Sequence, residues 1–61
     1  MHRRVVVNLW SGTAISGLVV KTHRSYCVIK DATVIEPGSE PARVDGEIIV
    51  DRRQVDYIQA L

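Results

Sequence analysis

A glycine in the middle of an apolar, β-branched run restricts this chain more than any other residue does. The run is TAISGLVVKT, residues 13–22, and Gly17 sits at its centre. Glycine has no side chain to pack and loses the most backbone freedom on folding. In a strand it therefore marks a bulge, a sharp bend or a close backbone approach. Gly12 asks for less, because Ser11-Gly12 is a turn signal between two hydrophobic segments. The spacing predicts a turn at Gly12 and a bent strand at Gly17.

The rest of the sequence repeats the strand signal. RVVVNLW precedes the turn, with Val5, Val7 and Leu9 on one face and Val6, Asn8 and Trp10 on the other. SYCVIKDATVIE forms a third strand, with Cys27, Ile29, Thr33 and Ile35 on one face and Tyr26, Val28, Ala32 and Val34 opposite. EPGSEPA, residues 36–42, contains both prolines and a glycine and reads as a loop. RVDGEIIVD supplies a fourth strand after Gly46, and QVDYIQA a short fifth, with Arg52-Arg53 in the tight connection between them. No segment has a helical period; a terminal helix over VDYIQAL competes with the strand reading, which Val, Tyr and Ile favour. Five short strands with close turns predict one all-β domain over residues 1–61, a small, strongly bent five-stranded barrel with Gly17 at a corner.

Length sets what must stabilise such a barrel. A chain of 61 residues buries only about 60% of its unfolded surface, so disulfides, metal or self-association commonly supplement the core. A lone cysteine, Cys27, excludes an internal disulfide, and His2 and His23 alone do not make a zinc set. No metal and no cofactor are expected, and self-association is left. The free cysteine suits a reducing cytoplasm, where Cys27 reads as a small core hydrophobe. The apolar run Val5 to Val7 ends at Asn8, too short for a signal segment or a membrane span. The net charge of +1 neither announces nor excludes nucleic acid, because an oligomer multiplies a small basic patch.

The order VVVNLWSGTAISGLVV, CVIKDA and GEIIVDRRQVDYI resembles the Sm-like (LSm and Hfq) superfamily, from Val5 to Ile58. Val5, Val7 and Leu9 match the first strand of its first motif, Gly12 and Gly17 its two glycines, and Ile29, Asp31 and Ala32 its end. Gly46, Ile48, Val50, Val55, Tyr57 and Ile58 match the second motif. Only Met1 to Arg4 precede Val5, so the likeness is to a minimal version without the N-terminal helix. The contact signatures depart from the family: HRSYC puts His23 near the usual acidic residue and Tyr26 near the usual Met-Asn pair. Asp51-Arg52-Arg53 stands where Arg-Gly is usual, and the Lys-His signature of Hfq is not present.

The resemblance implies a homo-oligomeric SH3-like ring that binds single-stranded RNA at its pore without catalysis. On it, His23, Arg24 and Tyr26 in one turn and Arg52 and Arg53 in another are the RNA-binding candidates. Tyr26 suits base stacking, and the arginines suit phosphate or planar stacking. The competing readings are a solvated hairpin turn and an Asp51–Arg pair that only shapes its turn. Gly12, Gly17 and Gly46 are the turn and bend residues. Ile49 and Tyr57 are the subunit-interface candidates, on a fourth strand that would pair with the fifth of the next subunit.

Other positions carry other readings. Trp10 is either a partner surface or partly covered by EPGSEPA. His2, Arg3 and Arg4 read as a disordered basic tag in preference to a phosphate contact. The acidic residues are scattered and no nucleophile and base are suitably spaced, so an enzyme is not expected. Two further classes stay open: a ring-forming assembly protein without nucleic acid, suited to a phage or other mobile-element genome, and a monomeric adaptor barrel anchored by Trp10.

Overall fold

The structure is a computed structural model and describes residues 3–61, so the expected role of His2 lies outside the described residues. The strands are β1 (Arg3–Leu9), β2 (Ala14–Thr22), β3 (Tyr26–Ile35), β4 (Ala42–Asp51) and β5 (Val55–Ala60), with a 3₁₀ turn at Arg52–Gln54 between the last two. The C-terminal segment is a strand, as its β-branched and aromatic residues favour. Arg3 and Arg4 belong to β1 and pair with Val19 and Leu18, so they are not a disordered tag.

All strand pairs are antiparallel, in the order β4-β3-β2-β1-β5. The hydrogen-bonded ladder is open: β4 and β5 stand at its two ends, and the sheet is not closed on itself. It is nevertheless strongly curled. Face-packed sheets lie about 10 Å apart, yet the smallest dimension of this single sheet is 20 Å.

The curl comes from a crease across three strands. Pairing between β2 and β3 shifts between Ser16 and Leu18, and pairing between β3 and β4 shifts between Lys30 and Ala32. Gly17, Asp31 and Gly46 occupy these breaks. Asp31 has φ 55° and Gly46 φ 83°, left-handed conformations that Asp tolerates better than most residues and Gly freely. Gly17 has a different reason. A Cβ there would lie 2.6 Å from Ile29 Cγ2 and 2.8 Å from the Lys30 carbonyl oxygen. The close approach is to the neighbouring strand β3. Gly17 is the point where β3 folds over β2.

The crease also reassigns the faces of β3. The core consists of Val5, Val7, Ile15, Cys27, Ile29, Ala32 and Val50, flanked by Leu9, Val19, Val34, Ile48 and Val55. Strict alternation placed Thr33 and Ile35 with Cys27 and Ile29; instead Ala32 and Val34 join them, and Ile35 is exposed. The unusual backbone at Asp31 adds one residue to the count and inverts the alternation beyond it. Arg4 of β1 and Arg43 of β4 both donate to the Asp31 carboxylate, across the crease. The Arg4 hydrogen bond, supported by Arg43, holds the Asp31 carboxyl below its ordinary range.

Candidate nucleic-acid interface

The turn between β2 and β3 is built by its own polar groups. The His23 backbone N–H donates to the Tyr26 carbonyl at 2.8 Å, and the Ser25 N–H donates to His23 Nδ1 at 3.4 Å. This closes the hairpin and turns the imidazole back over the start of β3. The His23 and Tyr26 rings stack with centroids 4.7 Å apart and planes 13° from parallel. His23, Arg24 and Ser25 are exposed, while Tyr26 is half-buried. One face of Tyr26 is therefore already covered, and the exposed aromatic member of the pair is His23.

The second turn is shaped by Asp51. Its carboxylate caps the 3₁₀ turn by accepting the Arg53 backbone N–H at 2.9 Å. The same carboxylate takes the Arg53 guanidinium, through Nη2 at 2.9 Å and Nε at 3.3 Å. The Arg53 side chain, with its backbone N–H, holds the Asp51 carboxyl below its ordinary range, and the pairing raises Arg53. Arg53 thus takes the turn-shaping role, and Arg52 has no carboxylate partner among the described residues.

These two turns meet. The Arg52 backbone N–H donates to the Ser25 carbonyl at 3.0 Å. Arg52 also lines a hollow of about 190 Å³ with Val19, Thr22, Cys27, Val55 and Ile58. Burial pushes the Cys27 thiol up, and the Arg52 charge offsets part of that. Cys27 is accordingly a core residue with no thiolate character, as its low exposure implies. The five candidates His23, Arg24, Tyr26, Arg52 and Arg53 therefore occupy two contiguous turns, with Arg53 neutralised and Arg52 open.

Trp10 belongs beside them, which pattern reading did not anticipate. Its backbone N–H donates to the Gln54 carbonyl at 3.0 Å, and its side chain is 69% exposed. EPGSEPA does not cover it; a Cβ on Gly12 would instead be the group near that loop, 3.9 Å from Pro37 Cγ. The signal for this placement was the β1–β5 pairing, which sets Leu9 opposite Val55 and so brings Trp10 to the 3₁₀ turn.

The interface candidates separate from this rim. Ile49 on β4 is 69% exposed and Tyr57 on β5 is 55% exposed, whereas Ile48 and Val55 pack against the core. Among the described residues, no group of three or more His, Cys, Asp and Glu is placed to hold a metal ion, and no helix is long and apolar enough to cross a membrane. Compared with protein-family models and with curated proteins, the chain matches none.

Proposed function

We propose that this chain is the subunit of a cytoplasmic, homo-oligomeric Sm-like ring that binds single-stranded RNA at its pore without catalysis. In this reading the curled sheet is the open form of a five-stranded barrel. Its edges β4 and β5 pair with those of neighbouring subunits, which satisfies backbone groups that a free edge leaves exposed. The observation that carries the RNA role is the hydrogen bond from Arg52 N–H to the Ser25 carbonyl. It ties an aromatic stack to an arginine without a carboxylate partner among the described residues, the pairing of groups that single-stranded nucleic acid requires. The strand order puts β4 and β5 at opposite ends, which supports head-to-tail closure into a ring. The exposed Ile49 and Tyr57 on those edges favour a second reading, a ring used only for assembly.

One set of measurements separates them. Light scattering on the purified protein should report a uniform oligomer, and Ile49→Lys or Tyr57→Lys should give smaller species. Fluorescence anisotropy with labelled oligo-U, oligo-A and single-stranded DNA at two salt concentrations should show salt-weakened binding. Tyr26→Ala should weaken it by roughly 1–3 kcal/mol per stacked base. A wild-type monomer would overturn the ring. An intact oligomer that binds nothing at low salt would overturn the RNA role and leave assembly.

A further inference from the structure

We infer that the single-stranded nucleic acid runs past the His23–Tyr26 stack, over the Arg52–Gln54 turn, to Trp10, which stacks a second base. This rests on the RNA-binding reading above and extends that site by a residue on a third turn.

The geometry comes from two backbone hydrogen bonds in series. Ser25 is tied to Arg52 at 3.0 Å and Gln54 to Trp10 at 3.0 Å. Arg52 and Gln54 are the ends of one 3₁₀ turn, which rises about 2 Å per residue, so its ends lie about 4 Å apart along it. The turns holding His23, Arg52 and Trp10 therefore stand in series, with an aromatic residue in each outer turn and an arginine in the middle one.

Charge selects the occupant. Within residues 10–13, 23–25 and 51–54 the ionised groups are Arg24, Arg52, Arg53 and Asp51. Asp51 is occupied by Arg53, so the open groups are cationic. An exposed tryptophan in such a series meets a polyanion whose units each carry a flat apolar face. Nucleobases on a phosphate backbone fit both requirements, and stacking on an aromatic side chain tolerates any base. An apolar protein partner would meet the tryptophan but would have to desolvate Arg24 and Arg52 without return.

Trp10 is the only tryptophan, so tryptophan emission, excited on the long-wavelength side of tyrosine absorption, reports on this position alone. Titrating the intact protein with unlabelled oligo-U or oligo-A should quench that emission, with the midpoint found by anisotropy on the labelled oligonucleotide. Trp10→Ala should weaken binding about tenfold or more, and Trp10→Phe should restore most of it. The exposure of the side chain predicts an unchanged thermal melt for both variants. Emission that stays constant while anisotropy saturates, together with wild-type affinity for Trp10→Ala, would overturn the inference and leave the His23–Tyr26 site intact. Trp10→Ala that changes oligomer size but not affinity would overturn it in favour of a protein contact. An oligomer without any anisotropy change at low salt would remove the RNA reading and this extension together.

Discussion

Asp31 is bracketed by Arg4 and Arg43, whereas Asp51 holds Arg53 and, among the described residues, the adjacent Arg52 has no carboxylate partner. Both aspartates sit where the backbone departs from a regular strand. At the crease, two cations from β1 and β4 close on one anion, Gly46 supplies a left-handed conformation, and Gly17 leaves room for the close approach of β3. At the rim, one cation is paired with the carboxylate that caps a 3₁₀ turn, and the next remains available. Exposed ion pairs are worth little individually, about 0–1 kcal/mol, so the difference is one of availability more than of stability. A region whose charges satisfy one another holds shape. A region with a cation left over, beside stacked rings, carries the groups the proposed ligand would need.

The largest expected effect lies at the crease. Gly17→Val puts atoms where Ile29 Cγ2 and the Lys30 carbonyl already are, and the latter is backbone that cannot rotate away. The loss should reach about 3 kcal/mol or more, as severe overpacking does, and appear as aggregation or a collapsed thermal melt. Even Gly17→Ala should destabilise, since the clash is with the Cβ itself. A variant with a normal melt and oligomer size would break the contrast by showing that the crease is adaptable.

A smaller effect separates backbone from charge at Asp31. Asp31→Ala should cost about 1–2 kcal/mol for the left-handed conformation, whereas Asp31→Asn keeps a residue that tolerates it. The charge contribution has a defined sign. With the folded-state carboxyl held below its ordinary value, it is present above the unfolded pKa of about 3.9 and lost as pH falls through the folded one. Melting temperature should therefore fall less on acidification in Asp31→Asn than in wild type. Asp51 has the same sign, so the variant retains part of the slope. Identical acid slopes would show that the crease clamp shapes the sheet without stabilising it.

The parts of this molecule that were legible in the sequence are those set by local chemistry. Strand positions, the Ser11-Gly12 turn, the proline loop and the bend at Gly17 follow from residue preference and period. The inner face of β1 was legible for the same reason: the register shift between Asn8 and Leu9 skips Asp56 on β5 and leaves Val5, Val7 and Leu9 in alternation. On β3 the alternation failed beyond Asp31, because a positive φ at a non-glycine residue has no period-two signature. The division of labour between Arg52 and Arg53 was also hidden. It depends on which side chain returns to Asp51, and adjacent arginines are equivalent in a pattern. Trp10 could be read either as a partner surface or as partly covered by EPGSEPA; its exposure and its place beside the 3₁₀ turn come from the structure, through pairing between the first and last strands.

The smallest effect tests the comparison most directly, because it asks whether two neighbouring arginines differ as their partners do. Binding to single strands loses affinity with salt at a slope of about −0.7 per phosphate neutralised. Arg52→Ala should reduce that slope by about this amount per occupied subunit, because its cation has no carboxylate partner among the described residues. Arg53→Ala removes a charge that Asp51 already balances, and the Asp51 carboxylate still accepts the backbone N–H at residue 53. The turn should persist and the salt slope should change little, while affinity falls modestly because an anion is uncovered beside the site. Anisotropy across a salt series for both variants reads the difference. Equal losses of slope would mean that the Asp51–Arg53 pair opens when nucleic acid arrives, and that the rim holds its charge in reserve where the crease does not.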